Sequence, residues 1–106
     1  MPADIQKLLK ELKQGLIRLY GERLKGVYLY GSYARGDFQE GSDLDVLVVL
    51  NDFERAPIEL ERTDDLMGNL SLEYLITISP MFMREKDWLM ADKPLLRNVR
   101  VDAVAV

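Results

Sequence analysis

Apolar residues in the first twenty positions recur at three- and four-residue steps: Ile5, Leu8, Leu9, Leu12, Leu16 and Leu19. That spacing draws one apolar stripe along a helix over 4–20, with Asp4 placed to cap its start and Gly21 to stop it. The pattern then shortens. Residues 26–30 (GVYLY) are rich in β-branched and aromatic side chains, which predicts a strand ended by Gly31. Residues 43–50 open with alternating polar and apolar positions and finish in the unbroken apolar run VLVVL, the mark of a strand covered on both faces.

Beyond that run, Asn51 and Asp52 offer caps for a helix that Pro57 can start in its first turn. Leu60, Thr63, Met67 and Leu70 line one side of it, and Gly68-Asn69 is its expected end. Residues 72–79 (LEYLITIS) alternate and predict a third strand, with Leu72, Tyr74, Ile76 and Ile78 on one face and Glu73, Leu75 and Thr77 on the other. Two short helices follow: one over 84–90 around Trp88, and one over 94–101 with Leu95, Leu96 and Val99 inward. Trp88 and the scattered methionines read as core or as a surface for a helical partner. An edge strand over 102–106 closes the order αββαβα(α)β, which calls for an α/β (α+β) fold in which a small mixed sheet is flanked by helices.

Length and composition narrow the chemistry. A chain of 106 residues suits a single domain over 1–106 with a modest core. It contains neither cysteine nor histidine, which excludes disulfides, thiolate and imidazole metal sites and Ser-His-Asp catalysis. Catalysis would have to use carboxylates, hydroxyls, Lys or Arg, backbone amides and a hard metal. The formal net charge of −4 argues against broad nucleic-acid binding through a basic surface. The longest apolar run is far too short to span a bilayer and the first residues do not resemble a signal peptide, so a cytoplasmic location without membrane attachment is expected.

The remaining chemistry concentrates in GSYARGDFQEGSDLD, residues 31–45. Gly31 permits a sharp turn and a close backbone approach to a ligand, and Ser32 adds a hydroxyl and an amide suited to an anion. Gly36 and Gly41 keep the following loop compact. Two residues apart on a strand, Asp43 and Asp45 project to the same side, about 6–7 Å apart along the chain. Paired carboxylates repel unless a cation lies between them, and hard oxygen ligands of this kind suit Mg²⁺ bridged to phosphates. Arg35 stands in the loop beside the expected phosphates as a bidentate donor.

Gly31-Ser32, the Tyr-Ala-Arg-Gly-Asp after them, Ser42 and the Asp-x-Asp at 43–45 resemble the signature of minimal nucleotidyltransferases of the DNA polymerase β superfamily. The likeness is greatest to the MNT domain, the antitoxin half of HEPN–MNT toxin–antitoxin pairs. The resemblance implies a polymerase-β-like fold. It implies a triphosphate held by Gly31 and Ser32, with Arg35 and Ser42 grouped among the nucleotide contacts, and Mg²⁺ bound by Asp43 and Asp45. The superfamily also uses a third carboxylate on a neighbouring strand. Glu73 or Leu75 takes that position according to register: Glu73 would be a metal ligand or general base, whereas Leu75 would leave the site without its third acid.

The implied activity is Mg²⁺-dependent transfer of AMP from ATP to a hydroxyl, with a tyrosine on a HEPN toxin as acceptor. Two alternatives stand beside it. One is transfer to a small molecule such as an aminoglycoside, whose enzymes usually carry a further helical domain for which this length leaves no room. The other is a binding module that neutralises its partner by contact alone.

Overall fold

The stripe from Ile5 to Leu16 does form a helix, α1 (Ala3–Tyr20), and buries Ile5, Leu8, Leu9, Leu12 and Leu16 against a sheet. A tight turn at Gly21–Arg23 leads into β1 (Leu24–Tyr30), and a four-residue helix, α2 (Ser32–Arg35), follows Gly31. Then come β2 (Leu44–Leu50), the long helix α3 (Ala56–Tyr74) and β3 (Ile78–Arg84). The chain closes with α4 (Glu85–Leu89), α5 (Pro94–Asp102) and the two-residue strand β4 (Val104–Ala105). This computed structural model describes residues 3–90 and 94–106, apart from the side chains of 94 and 95, so the expected inward position of Leu95 lies outside the described residues.

The strands form one mixed sheet in the order β3-β2-β1-β4. β2 is central, antiparallel to β1 and parallel to β3, and β4 pairs antiparallel with β1 at the edge. A parallel neighbour needs a long crossover, and α3 is that crossover. The apolar run of β2 is covered on both faces as its sequence predicts, with Val46 to Leu50 essentially inaccessible. Leu44, Val46, Val48 and Leu50 face α1 and α3 in the main core. Leu47 and Val49 face the other way, into a second core with Met83, Trp88 and Val99 that α4 and α5 cover.

The structure corrects the sequence at three places. Asn51 and Asp52 do not cap α3, whose N-cap position is Arg55; they build the preceding turn, where Asp52 Oδ1 accepts from the Phe53 amide at 2.9 Å and from Arg84 Nε at 2.9 Å. Gly68-Asn69 does not end α3, because both lie on its exposed face while Thr63, Met67 and Leu70 carry the buried stripe through. The helix stops instead at Leu75, which takes the left-handed conformation (φ 54°) and donates its amide to the Ser71 carbonyl.

Residues 72–74 therefore belong to α3, and the third strand starts at Ile78. The alternation over 72–79 fits a helix end as well as a strand, and Tyr74 decides between them. Its hydroxyl donates to Glu11 on α1, drawing this turn onto the helical layer. Two inward expectations also fail: Leu19 and Leu60 lie toward solvent, at the margins of their stripes.

A polar tie joins the two long helices. Buried Tyr20 donates its hydroxyl to Glu59 Oε1 at 2.7 Å, and Arg62 stands 3.5 Å from the same oxygen. Burial and the Glu59 carboxylate push the Tyr20 hydroxyl well above the ordinary phenol range.

Candidate active site

At the head of the central strand, the turn after β1 and the start of β2 lie side by side. Gly31 has φ 77°, a conformation that side-chain-bearing residues rarely adopt. It is also hemmed in: a Cβ there would fall 2.2 Å from Asp45 Oδ2. The first motif residue and the last are thus packed against each other, fourteen residues apart in sequence. The Gly31 carbonyl accepts from the amides of Ala34 and Arg35, which winds α2 and sets Ser32 at its start.

Between these elements lies an open cleft of about 380 Å³, lined by Tyr30, Gly31, Ser32, Arg35 and Asp45, with Asn98, Val99 and Asp102 of α5 as its other wall. Asp45 lies opposite Tyr30 in the ladder with β1, and it points with Leu47 and Val49 toward the second core. Asp43, just ahead of the strand, is exposed. Burial and then the Asp43 charge push the Asp45 carboxyl above its ordinary value, with Arg35 opposing. Burial and the Asp45 charge likewise push the Tyr30 hydroxyl up. Asp45 in the cleft lining and Asp43 just outside it offer a donor set of hard oxygens, and a divalent cation would offset the repulsion that the Asp43 charge exerts on Asp45.

Arg35 reaches the cleft in the grip of two acids. Its Nη1 donates to Asp102 Oδ2 at 3.0 Å and its Nε to Asp37 Oδ2 at 3.2 Å. Ser42, expected among the nucleotide contacts, is not in the cleft lining. Its hydroxyl accepts from the Gln39 amide at 2.9 Å and its own amide donates to the Gln39 carbonyl at 3.0 Å, so it locks the loop that delivers Asp43. Tyr33 stacks on Phe38 within that loop, with ring centroids 4.3 Å apart.

Glu73 is not at the site. It lies exposed in the last turn of α3, and the strand expected to carry it begins five residues later. Leu75, the other candidate for the third position, caps the same helix and is 90% exposed. The residue of β3 paired with Asp45 is Ser79, whose Oγ donates to Asp43 Oδ2 at 3.2 Å. Among the described residues, no group of three acidic side chains converges as a metal site. The reading of the sequence also missed Asn98 and Asp102. Their four-residue spacing does put them on one helix face. The partner of Asp102, however, is 67 residues away, and no local pattern reports that.

The nucleotidyltransferase-domain family matches residues 9–102. The chain belongs to that family. This nucleotidyltransferase domain is 34% identical over 82 residues to a Methanocaldococcus jannaschii protein assigned as a protein adenylyltransferase, covering 77% of this chain and 82% of that one. Its fold resembles that of a chain in a toxin–antitoxin complex with AMP-PNP, at a TM-score of 0.61 and 20% identity, over 91% of this chain and 70% of the other. A second fold relative is found in a complex of tri-AMPylated Shewanella oneidensis HEPN toxin with MNT antitoxin. There the TM-score is 0.52 at 16% identity, over 92% of this chain and 70% of the other. The nucleotidyltransferase family and the mixed-sheet α/β fold expected from the sequence are both borne out.

Proposed function

We propose that the domain transfers AMP from ATP to a tyrosine hydroxyl of a HEPN-type partner and so acts as an antitoxin, with Mg²⁺ as its cofactor. The observation that carries this reading is the packing of Gly31 against Asp45, which fixes a tight glycine turn beside a carboxylate pair. Asp43 and Asp45 would hold the cation, which when bound neutralises phosphate charge and polarises the phosphorus under attack. Gly31 and Ser32 would orient the triphosphate, and Arg35 would exchange an acidic partner for a phosphate oxygen. In the transfer, the acceptor oxygen bonds to the α-phosphorus while the bond from that phosphorus to the bridging oxygen breaks. Pyrophosphate departs, and the hydroxyl proton passes to solvent or to a base on the acceptor. The nearby relatives named for adenylyl transfer and for HEPN complexes support the choice of donor and partner.

The test is to incubate the domain with Mg²⁺, α-labelled ATP and the product of the adjacent gene. Label should appear on the partner with wild type and not with the Asp43→Asn, Asp45→Asn double variant. A tight complex with no label from either would reject transfer. It would favour neutralisation by contact, the second reading that Ser79 in β3 keeps open.

A further inference from the structure

Residues partnered in a parallel ladder share a face, and every second side chain along a strand returns to it. Asp45 is partnered with Ser79, Leu47 with Met81 and Val49 with Met83. Met81 and Met83 indeed pack with Leu47 and Val49 in the second core, so Ser79 shares the face of Asp45. It is the β3 residue that meets the aspartate pair, as its 3.2 Å hydrogen bond to Asp43 shows. A third acid presented from the neighbouring strand would have to stand there, and β3, reading ISPMFMR, contains no carboxylate.

From this position we infer that the cleft takes one divalent cation with each nucleoside triphosphate, and that Ser79 is the residue that limits it to one. The inference rests on the nucleotidyltransferase reading of the cleft. A single Mg²⁺ is satisfied by one or two carboxylates together with phosphate oxygens and water, which Asp43, Asp45 and a triphosphate provide. A pair of dications about 3.5–4 Å apart repel one another, and holding the second calls for further anionic ligands. Ser79 offers a neutral hydroxyl whose proton already points at Asp43. The chain lacks an acid on β3 for the acceptor side, so the acceptor or solvent has to take the proton.

Equilibrium dialysis with Mn²⁺ and α,β-methylene ATP reads the ratio of bound metal to bound nucleotide without any turnover. Wild type should bind one Mn²⁺ per nucleotide, Ser79→Ala should remain at one, and Ser79→Asp should bind two. Ser79→Glu is the second acidic variant in case the shorter one misfolds, with circular dichroism confirming the fold of each. Two ions per nucleotide on wild type would overturn the inference and leave the nucleotidyltransferase reading standing. A ratio that stays at one in a folded acidic variant would overturn it as well. If wild type binds neither nucleotide nor metal, both the inference and the reading of the cleft fail.

Discussion

Half-buried at the head of β2 and facing Asp43, the Asp45 carboxylate has its ionised form penalised first by lost hydration and then by its neighbour's charge. A folded-state pKa above the ordinary value means that ionised Asp45 weakens the fold at neutral pH. Replacing it with Asn should therefore raise the melting temperature at pH 7 while abolishing the stabilisation that Mg²⁺ with ATP confers on wild type. The gain should fade as pH falls below the ordinary carboxylate range, where Asp45 is protonated folded and unfolded alike. Thermal melts of both proteins across pH, with and without Mg²⁺-ATP, check this; a variant less stable than wild type at pH 7 would contradict it. Arg35 shows how much a single side chain can conceal: its loop position is plain in the sequence, while its hold on Asp102 exists only once α5 is docked.

Helix α3 is where local signals and the tertiary outcome part company. Gly68 and Leu75 are each unfavourable by local rule, one a glycine inside a helix and the other a leucine at positive φ. A Cβ at Gly68 would meet nothing within 4 Å, so Gly68→Ala should stabilise the fold by about 0.8–1 kcal/mol. Leu75→Gly relieves the left-handed strain at a side chain that buries almost nothing, for about 1–2 kcal/mol. Either gain should appear as a rise of several degrees in melting temperature by circular dichroism, and a fall would show that the position has a contact role. The same helix explains what was legible. α1 and β2 have strong, unambiguous periods, and the 31–45 motif lies between well-marked strands, so the aspartate pair could be placed from sequence alone. Over 72–79 the apolar spacing suits both periods, and the deciding contact, Tyr74 to Glu11, joins residues 63 apart. Misplacing that boundary put Glu73 in the site and hid Ser79.

At the level of the whole molecule, the sheet separates two cores of unequal weight. α1 and α3 bury the larger one and are tied by Tyr20 and Glu59, whereas the smaller is covered by α4 and α5 through Trp88, Leu96 and Val99. α5 adds an Arg100 guanidinium 4.9 Å over the Trp88 ring and the Asp102 contact to Arg35. The same helix supplies Asn98, Val99 and Asp102 to the cleft wall. This double duty ties occupancy of the cleft to the local opening of one helix. Any ligand bridging the Gly31 turn and α5 must be released before α5 lifts away, so bound nucleotide suppresses that opening in proportion to its saturation. Amide hydrogen exchange should slow across α5 when Mg²⁺-ATP is added, while the turn at Gly21–Arg23, at the opposite end of β1 from Gly31, keeps its rate. Unchanged exchange in α5 under demonstrated saturation would mean that the helix walls the cleft without touching what enters it.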